Sequence, residues 1–492
     1  MKQYILTIDQ GTTSTRAILF NKKGEIVYKT QREIKNYFPH AAWVEQDPLE
    51  IYVSAIDVIN ELFIKTNIKA NEVASIGITN QRETTIVWDK STGLPVYNAI
   101  VWQSKQTIDI CNKVKKYEDV IKEKTGLIVN PYFSASKIKF ILDTIENGHQ
   151  RAKNGELLCG TVDTWLLYKL TAGQSFKTDY SNASRTLLYN IHSLEWDDEL
   201  CSIFDVPKVM LPEVCDSSSI FGYTNIIDHQ TLIPISSLVG DQQASLFGQN
   251  CFEKGDVKNT YGTGCFMLMN TKDEIVKSNY GLLTTIAWGL NGKVEYALEG
   301  SVFIGGASIQ WLRDQLRLIR SAKDSEDVAL SVDNQEDIYV IPAFVGLGTP
   351  YWDDNVRGAI FGLTRGTTRE NIVKATLESI AYQSKDVIEV MKKDVHIKIK
   401  TLKVDGGATD NHYLMQFQAD ILNVNIKRPV VSETTALGAF YLAGLSVGYF
   451  ENIEEIKKIH KYQDYYLPSM DKTVRKNKYR RWKKAVSAAR KF

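Results

Sequence analysis

Apolar and β-branched residues fall in short runs along this chain, and their spacing predicts alternating strands and helices. Tyr4-Ile5-Leu6-Thr7-Ile8, Ala17-Ile18-Leu19-Phe20 and Glu25-Ile26-Val27-Tyr28 read as three strands, the last two joined by the turn Asn21-Lys22-Lys23-Gly24. The stretch from Leu49 to Ile68 is amphipathic at helical spacing and follows Asp47-Pro48, a helix start signal. Val73 to Thr79 is a buried strand ending in the polar Asn80-Gln81-Arg82-Glu83. Thr85-Ile86-Val87-Trp88 and Ala99-Ile100-Val101-Trp102 are further strands, and residues 108–151 read as helical and Lys-rich. Lys472 to Lys491 is strongly basic, but Trp482, Val486 and Ala489 recur at helical spacing, so it reads as a docked helix with a solvated charged face.

Between the first two strands lies Asp9-Gln10-Gly11-Thr12-Thr13-Ser14-Thr15-Arg16. A tight Gly-Thr-Thr-Ser turn converges backbone N–H groups and hydroxyls on one point, a neutral cradle for phosphate oxygens. Asp9, at the strand end, is placed to hold Mg²⁺ directly or through water. The same residues also make an ordinary polar β-turn. Lys258 to Met269 repeats the plan of strand, Gly-Thr turn (Gly262-Thr263) and strand. Two such units some 250 residues apart suggest two related domains, 1–250 and 251–492, facing a shared cleft. Val404-Asp405-Gly406-Gly407-Ala408 is another strand entering a Gly-rich turn that admits close approach of a nucleotide, with a helix from about Asn411.

Composition narrows the class. With 492 residues the chain exceeds the size of a single growing core. With 43% hydrophobic and 24% charged residues it reads as a soluble globular protein, and a net charge of +1 implies no nucleic-acid partner. No apolar stretch is long enough to span a bilayer, and the chain enters a strand without a leader. The six cysteines lack a Cys-x-x-Cys pair and the histidines are dispersed, which argues against zinc and points to the cytoplasm as the default location.

Two further groups carry candidate chemistry. Asp241 follows Gly240 at the end of an apolar segment, so its carboxylate is directed into a cleft as a general base; equally, it stands where a helix N-cap would. Arg82 and Glu83 form an adjacent charged pair at a strand end that can read hydroxyl groups, or can be a surface ion pair of little worth.

Taken together, these motifs resemble the FGGY family of carbohydrate kinases, within the actin-like ATPase superfamily. The likeness runs from Tyr4 to about Trp482. It rests on Asp9 to Ser14, Gly77 to Thr85, Gly160 to Leu166, Gly240 to Ala244, Tyr261 to Phe266, Gly306 to Leu312 and Asp405 to Ala408. Gln106 and Phe140 depart from the family pattern, which more often has arginine and tryptophan there. The resemblance implies an α/β fold of two actin-like (ribonuclease H-like) domains, each a mixed sheet flanked by helices, with a catalytic cleft between them. It implies phosphorylation of glycerol by ATP with Mg²⁺, giving sn-glycerol 3-phosphate for glycerol catabolism and glycerolipid synthesis, in a homodimer or homotetramer.

By the same resemblance Asp241 is the general base, and Arg82, Glu83, Tyr132 and Gln242 hydrogen-bond glycerol. Trp102 and Phe266 pack on its carbon chain, although core packing is the common fate of such aromatics. Thr12, Thr13, Ser14, Arg16 and Thr263 are assigned to the phosphates, with a salt bridge within the N-terminal domain as the alternative for Arg16. Gly306, Gln310, Gly407 and Asn411 are assigned to adenosine, and Asp9 with Asp241 to Mg²⁺. Residues Ile226 to Thr231 lack the Gly/Arg-rich fructose 1,6-bisphosphate site of some bacterial relatives, so no inhibition by that sugar phosphate is expected, and His229 reads as a surface histidine. Rival readings are a pentulose or hexulose kinase, and an actin-like or chaperone-like ATPase whose cycle drives partner binding.

Overall fold

The computed structural model describes residues 2–332 and 337–492. The opening run folds as a meander: β1 (Tyr4–Gln10), β2 (Ser14–Asn21) and β3 (Ile26–Glu33) pair antiparallel, with Asp9 opposite Arg16. Asp47 accepts from the Leu49 N–H at 2.8 Å and caps α1 (Pro48–Thr66), which ends where Asn67 turns left-handed. β4 (Val73–Asn80) then adds parallel to β1, and β5 (Ser218–Thr224) and β6 (Ile233–Gly240) complete a six-stranded sheet in the order β5-β6-β4-β1-β2-β3. β1, β4 and β6 are buried almost throughout, as central parallel strands covered on both faces are, and their sequences are correspondingly rich in Ile, Leu and Val.

A second sheet repeats this plan. β7 (Val257–Tyr261), β8 (Cys265–Lys272), β9 (Leu283–Leu290), β10 (Lys293–Val302), β11 (Thr401–Asp405), β12 (Asn425–Pro429) and β13 (Tyr462–Tyr466) lie in the order β9-β10-β8-β7-β11-β12-β13. Strands β10, β8 and β7 are antiparallel, and β11 and β12 continue in parallel from β7. This matches β3-β2-β1-β4-β6 strand for strand. The echo between the two Gly-Thr turns therefore extends to a five-strand unit, as the two-lobed α/β fold expects.

The second half also sends a helix onto the first. α2 (Asp241–Gly248) follows β6, while α3 (Ala307–Asp314), α4 (Arg369–Val395) and α5 (His412–Leu422) flank the second sheet. α6 (Thr434–Ser446), which follows β12, crosses to pack on the first sheet. Phe440 stacks on Phe20 at 4.8 Å, and the Ser237 and Ser236 hydroxyls donate to the carbonyls of Ala439 (2.9 Å) and Ala443 (3.0 Å). A shared core joins Ile5, Ile18 and Val239 to Leu268, Trp288 and Ala439. α2 and α6 touch at Gly438, where a Cβ would run into the Ala244 carbonyl.

Two readings of the sequence are refined. The stretch 108–151 is not one helical run but four short α-helices, Ile108–Val114, Glu118–Thr125, Ser134–Thr144 and Gly148–Lys153. Gly126 ends the second in a left-handed conformation, and Asn130-Pro131 lies in the connection that follows. The basic C-terminal segment is α7 (Lys472–Ala489), docked through fully buried Trp482. That indole stacks on Tyr382 at 5.1 Å and donates to Asp386 at 2.8 Å.

Candidate active site

Three adjacent parallel strands end at one place. Gln10 of β1 and Gly240 of β6 are both in register with Asn80 of β4. Asp9, the Gln81-Arg82-Glu83 turn and Asp241 therefore emerge side by side at the carboxyl edge of the sheet, the edge at which open α/β sheets bind ligands.

Arg82 is buried and almost wholly paired. Its Nη1 donates to Glu299 Oε2 (2.6 Å) and Gln243 Oε1 (3.1 Å), and its Nη2 to Glu299 Oε1 (2.9 Å) and the Tyr132 hydroxyl (3.3 Å). The Nε edge faces Asp241 Oδ1 at 3.3 Å and Glu83 Oε1 at 3.8 Å. Arg82 and Glu83 are thus not a surface ion pair. Glu83 is left-handed (φ 59°), and its carbonyl accepts from Lys137 Nζ and Ser134 Oγ, each at 3.1 Å. Burial pushes the Lys137 ammonium down to about 7.

Asp241 opens α2, and its Oδ1 accepts from the Gln242 N–H at 2.7 Å. Its side chain keeps 29% of its surface exposed, enough to meet a ligand. Burial raises its pKa, the Arg82 charge opposes this, and Glu83 adds to it. Gln242 accepts from Lys258 Nζ at 2.5 Å; burial brings that lysine down to about 8, against the pull of Asp405 and Asp241. Three aromatic rings wall the same space: Trp102 meets Tyr132 edge-on at 5.6 Å and Phe266, from β8, at 6.0 Å.

The phosphate-type turn lies next to this wall. The Trp102 Nε1 donates to Thr12 Oγ1 at 2.8 Å, Thr13 is exposed, and the Gly11 N–H closes the turn on the Ser14 carbonyl at 2.9 Å. Arg16 does not point freely from the turn. It pairs with Glu433 at the start of α6 (3.0 Å) and with Gln31 (3.2 Å), and stands 3.7 Å from Asp9. The bridge expected within the N-terminal domain is only the longer contact with Asp9; the shorter one reaches across to Glu433 in the second half of the chain.

In the second hairpin Gly262 and Thr263 are exposed. Their carbonyls accept from Gly306 (2.9 Å) and Gly305 (2.8 Å), which seats the start of α3, and with it exposed Gln310, on the turn. Gly406 has φ 92°, and a Cβ there would strike the Tyr261 carbonyl; beside Gly407 the space is open. Asn411 caps α5, accepting from Leu414 N–H at 2.8 Å while donating to Ser325 Oγ at 3.2 Å, so its side chain already has structural work.

The charge of Asp241 is close enough to Asp9 to raise its affinity for a proton. Burial, opposed by Arg16, lifts Asp9 to about 6. No third carboxylate, histidine or cysteine joins them in a metal-holding group among the described residues. Two carboxylates fit a Mg²⁺ ion that takes its other ligands from phosphates and water. His229 is exposed in a turn, as expected.

Sequence reasoning missed Glu299, Arg185, Lys258, Gln243 and Glu433. Glu299 carries a signal, a charged residue inside the otherwise apolar run Tyr296-Ala297-Leu298-Glu299-Gly300, whereas Arg185, Lys258, Gln243 and Glu433 lie in polar stretches that do not single them out.

With two matching lobes and an acid beside an aromatic-walled space, the architecture is that of a sugar or polyol kinase. The chain belongs to the FGGY family of carbohydrate kinases: the family's N-terminal domain matches residues 4–248 and its C-terminal domain residues 257–447. It is 58% identical to a glycerol kinase of Geobacillus sp. (strain WCH70) and 57% identical to one of Bacillus licheniformis, each alignment covering 100% of both chains. Among solved structures, Plasmodium falciparum glycerol kinase with ADP superposes with a TM-score of 0.92 at 36% identity, covering 99% of this chain and 98% of that one. No helix among the described residues is long and apolar enough to cross a membrane.

Proposed function

We propose that this protein transfers the γ-phosphoryl group of ATP to a terminal hydroxyl of glycerol, giving sn-glycerol 3-phosphate and ADP. One observation carries the reading: Arg82 and Glu83 stand beside Asp241 in a space walled by Trp102, Tyr132 and Phe266. Polar groups positioned in this way bind a small polyol and reject analogues that lack a hydroxyl. The full-length likeness to proteins named glycerol kinase supports the same acceptor.

Asp241 is the general base. Its half-buried carboxylate accepts the proton of the attacking hydroxyl, which is a poor nucleophile while protonated. Arg82, Glu83, Tyr132 and Gln242 orient the hydroxyls, and Trp102 and Phe266 pack on the carbon chain. Thr12, Thr13, Ser14 and Thr263 take the phosphates from the two turns. Arg16 joins them by exchanging Glu433 for phosphate. Gly306, Gln310 and Gly407 take the adenosine side; Asn411 does so with its backbone and flank, since its side-chain atoms cap α5. Asp9 and Asp241 would hold Mg²⁺, which would supply charge neutralisation at the phosphates.

The lobes are 1–250 and 251–492, a division supported by the two sheets on either side of it and crossed by α6. Closure of one on the other expels water, the competing acceptor. The enzyme works in the cytoplasm as a homodimer or homotetramer, a reading that rests on family resemblance.

A substrate panel tests the reading. With MgATP, coupled ADP detection should give a kcat/KM for glycerol far above those for xylulose, ribulose and gluconate. A pentulose or gluconate turned over best would overturn it.

A further inference from the structure

Two arginines and two glutamates close a buried ring behind the acceptor space. Glu299 takes both Nη groups of Arg82, at 2.6 and 2.9 Å. Arg185 donates its Nε to Glu83 at 2.6 Å and its Nη2 to Glu299 at 3.2 Å. Glu83 returns to Arg82 Nε at 3.8 Å. The side chains of Arg82 and Glu83 are 2% exposed, and those of Arg185 and Glu299 not at all. Tyr132 and Phe133 cover the Arg185 guanidinium at 5.6 and 5.2 Å.

Three members come from the first half of the chain, and Glu299 alone comes from the second sheet. It lies on β10, on the strand face that carries Ala297 into the core shared between the halves. Ser301 Oγ, two residues on, donates to the same carboxylate at 3.3 Å. Burial works against its ionisation, but Arg185 and Arg82 hold Glu299 at about 2, so it is a carboxylate at any working pH.

The geometry limits what Arg82 can do. A guanidinium has five N–H donors. Glu299, Gln243 and Tyr132 share the four on its Nη atoms, leaving only the Nε–H directed at Asp241 and Glu83. A bidentate carboxylate fixes the plane of the fork. That plane decides whether the Nε edge faces the acceptor space. With Glu299 gone, Arg82 and Arg185 would keep only Glu83 within the ring, and Arg82 would turn toward Asp241.

We propose that Glu299 is a positioning residue of the acceptor site: it locks Arg82, and through Arg185 also Glu83, in the orientation that reads the polyol hydroxyls. The recognition pair carried by one half of the chain is thus set by a carboxylate of the other, and acceptor affinity depends on the docking of the two lobes. This inference rests on the glycerol reading above.

Steady-state kinetics of Glu299→Gln and Glu299→Asp with glycerol and MgATP test it, alongside nucleotide affinity from fluorescent-nucleotide titration and folding by circular dichroism. Glu299→Gln should raise the glycerol KM about 10- to 100-fold, the loss expected for a charged buried hydrogen bond. Glu299→Asp keeps the charge but draws it back, and should raise that KM about 3- to 10-fold. Nucleotide affinity should stay within about twofold of wild type in both, since the ring touches only the acceptor end. An unchanged glycerol KM in the folded variants would overturn the inference. So would an equal loss of nucleotide affinity, or loss of the fold in both variants, since either would make Glu299 a general strut. Wild-type enzyme inactive on glycerol, with the variants' nucleotide binding intact, would overturn the functional reading itself and the inference with it.

Discussion

The indole Nε1 of Trp102 donates to the hydroxyl of Thr12 at 2.8 Å, so a wall of the acceptor space is tied to the phosphate turn. Thr12→Val keeps the shape and leaves the half-buried indole N–H unpaired, at a cost of about 1–3 kcal/mol. The variant should therefore raise the KM for ATP and for glycerol together. Initial rates over a grid of both substrates check this; a change in the ATP term alone would contradict the coupling.

Asp241→Asn removes the acceptor of the hydroxyl proton but keeps size and the contact with the Gln242 N–H. Turnover should fall about 10²-fold or more. Glycerol binding should change far less, because Arg82, Glu83 and the aromatic walls remain. Near-normal turnover in a steady-state assay would remove Asp241 from the role of base.

Much of this site was legible in the sequence, and the reasons are local. Asp9 to Arg16 and Lys258 to Met269 each hold strand, turn and strand within a dozen or so neighbours, so pattern alone placed them. Arg82-Glu83 and Asp241 stand at strand ends, where polarity breaks an apolar run. Glu299 and Arg185 were illegible because their partners lie 217 and 102 residues away in the chain. The same holds for Glu433, which meets Arg16 over 417 residues only because α6 crosses to the first sheet. A charged residue inside a buried strand announces a partner without naming it. The breaks in 108–151 were missed because the helical spacing of apolar residues persists across Gly126 and Pro131 while the backbone does not follow it.

Lys137 gives the fold a pH signature. Its Nζ donates to the carbonyls of Glu83 and Tyr132, two partners for the two N–H groups of a neutral amine. Burial lowers it from 10.5 to about 7. Between those values the unfolded chain binds the extra proton, so wild-type stability from this group rises with pH. Lys137→Met does not titrate. The melting temperature of wild type minus that of Lys137→Met should therefore grow from about pH 7 to pH 10. A flat or shrinking difference would show that the amine is not held neutral. The variant should also raise the glycerol KM, since Glu83 loses a tie on its left-handed backbone.

Gly438 permits the contact of α6 with α2, where any side chain meets the Ala244 carbonyl. Gly438→Val should destabilise the protein by about 1–3 kcal/mol through overpacking. Because α6 also carries Glu433 to Arg16 and Lys29, activity should fall with stability. Thermal melts and turnover of the same preparation check both; a variant of unchanged melting temperature would mean that the helices separate freely.

Transfer to a bound polyol rather than to water is the central claim, and ADP release with and without glycerol tests it most directly. The account predicts slow ADP formation from MgATP alone, a rise of several orders of magnitude on adding glycerol, and one sn-glycerol 3-phosphate per ADP. ADP formation at the same rate with and without glycerol, or glycerol recovered without a phosphate ester, would contradict it.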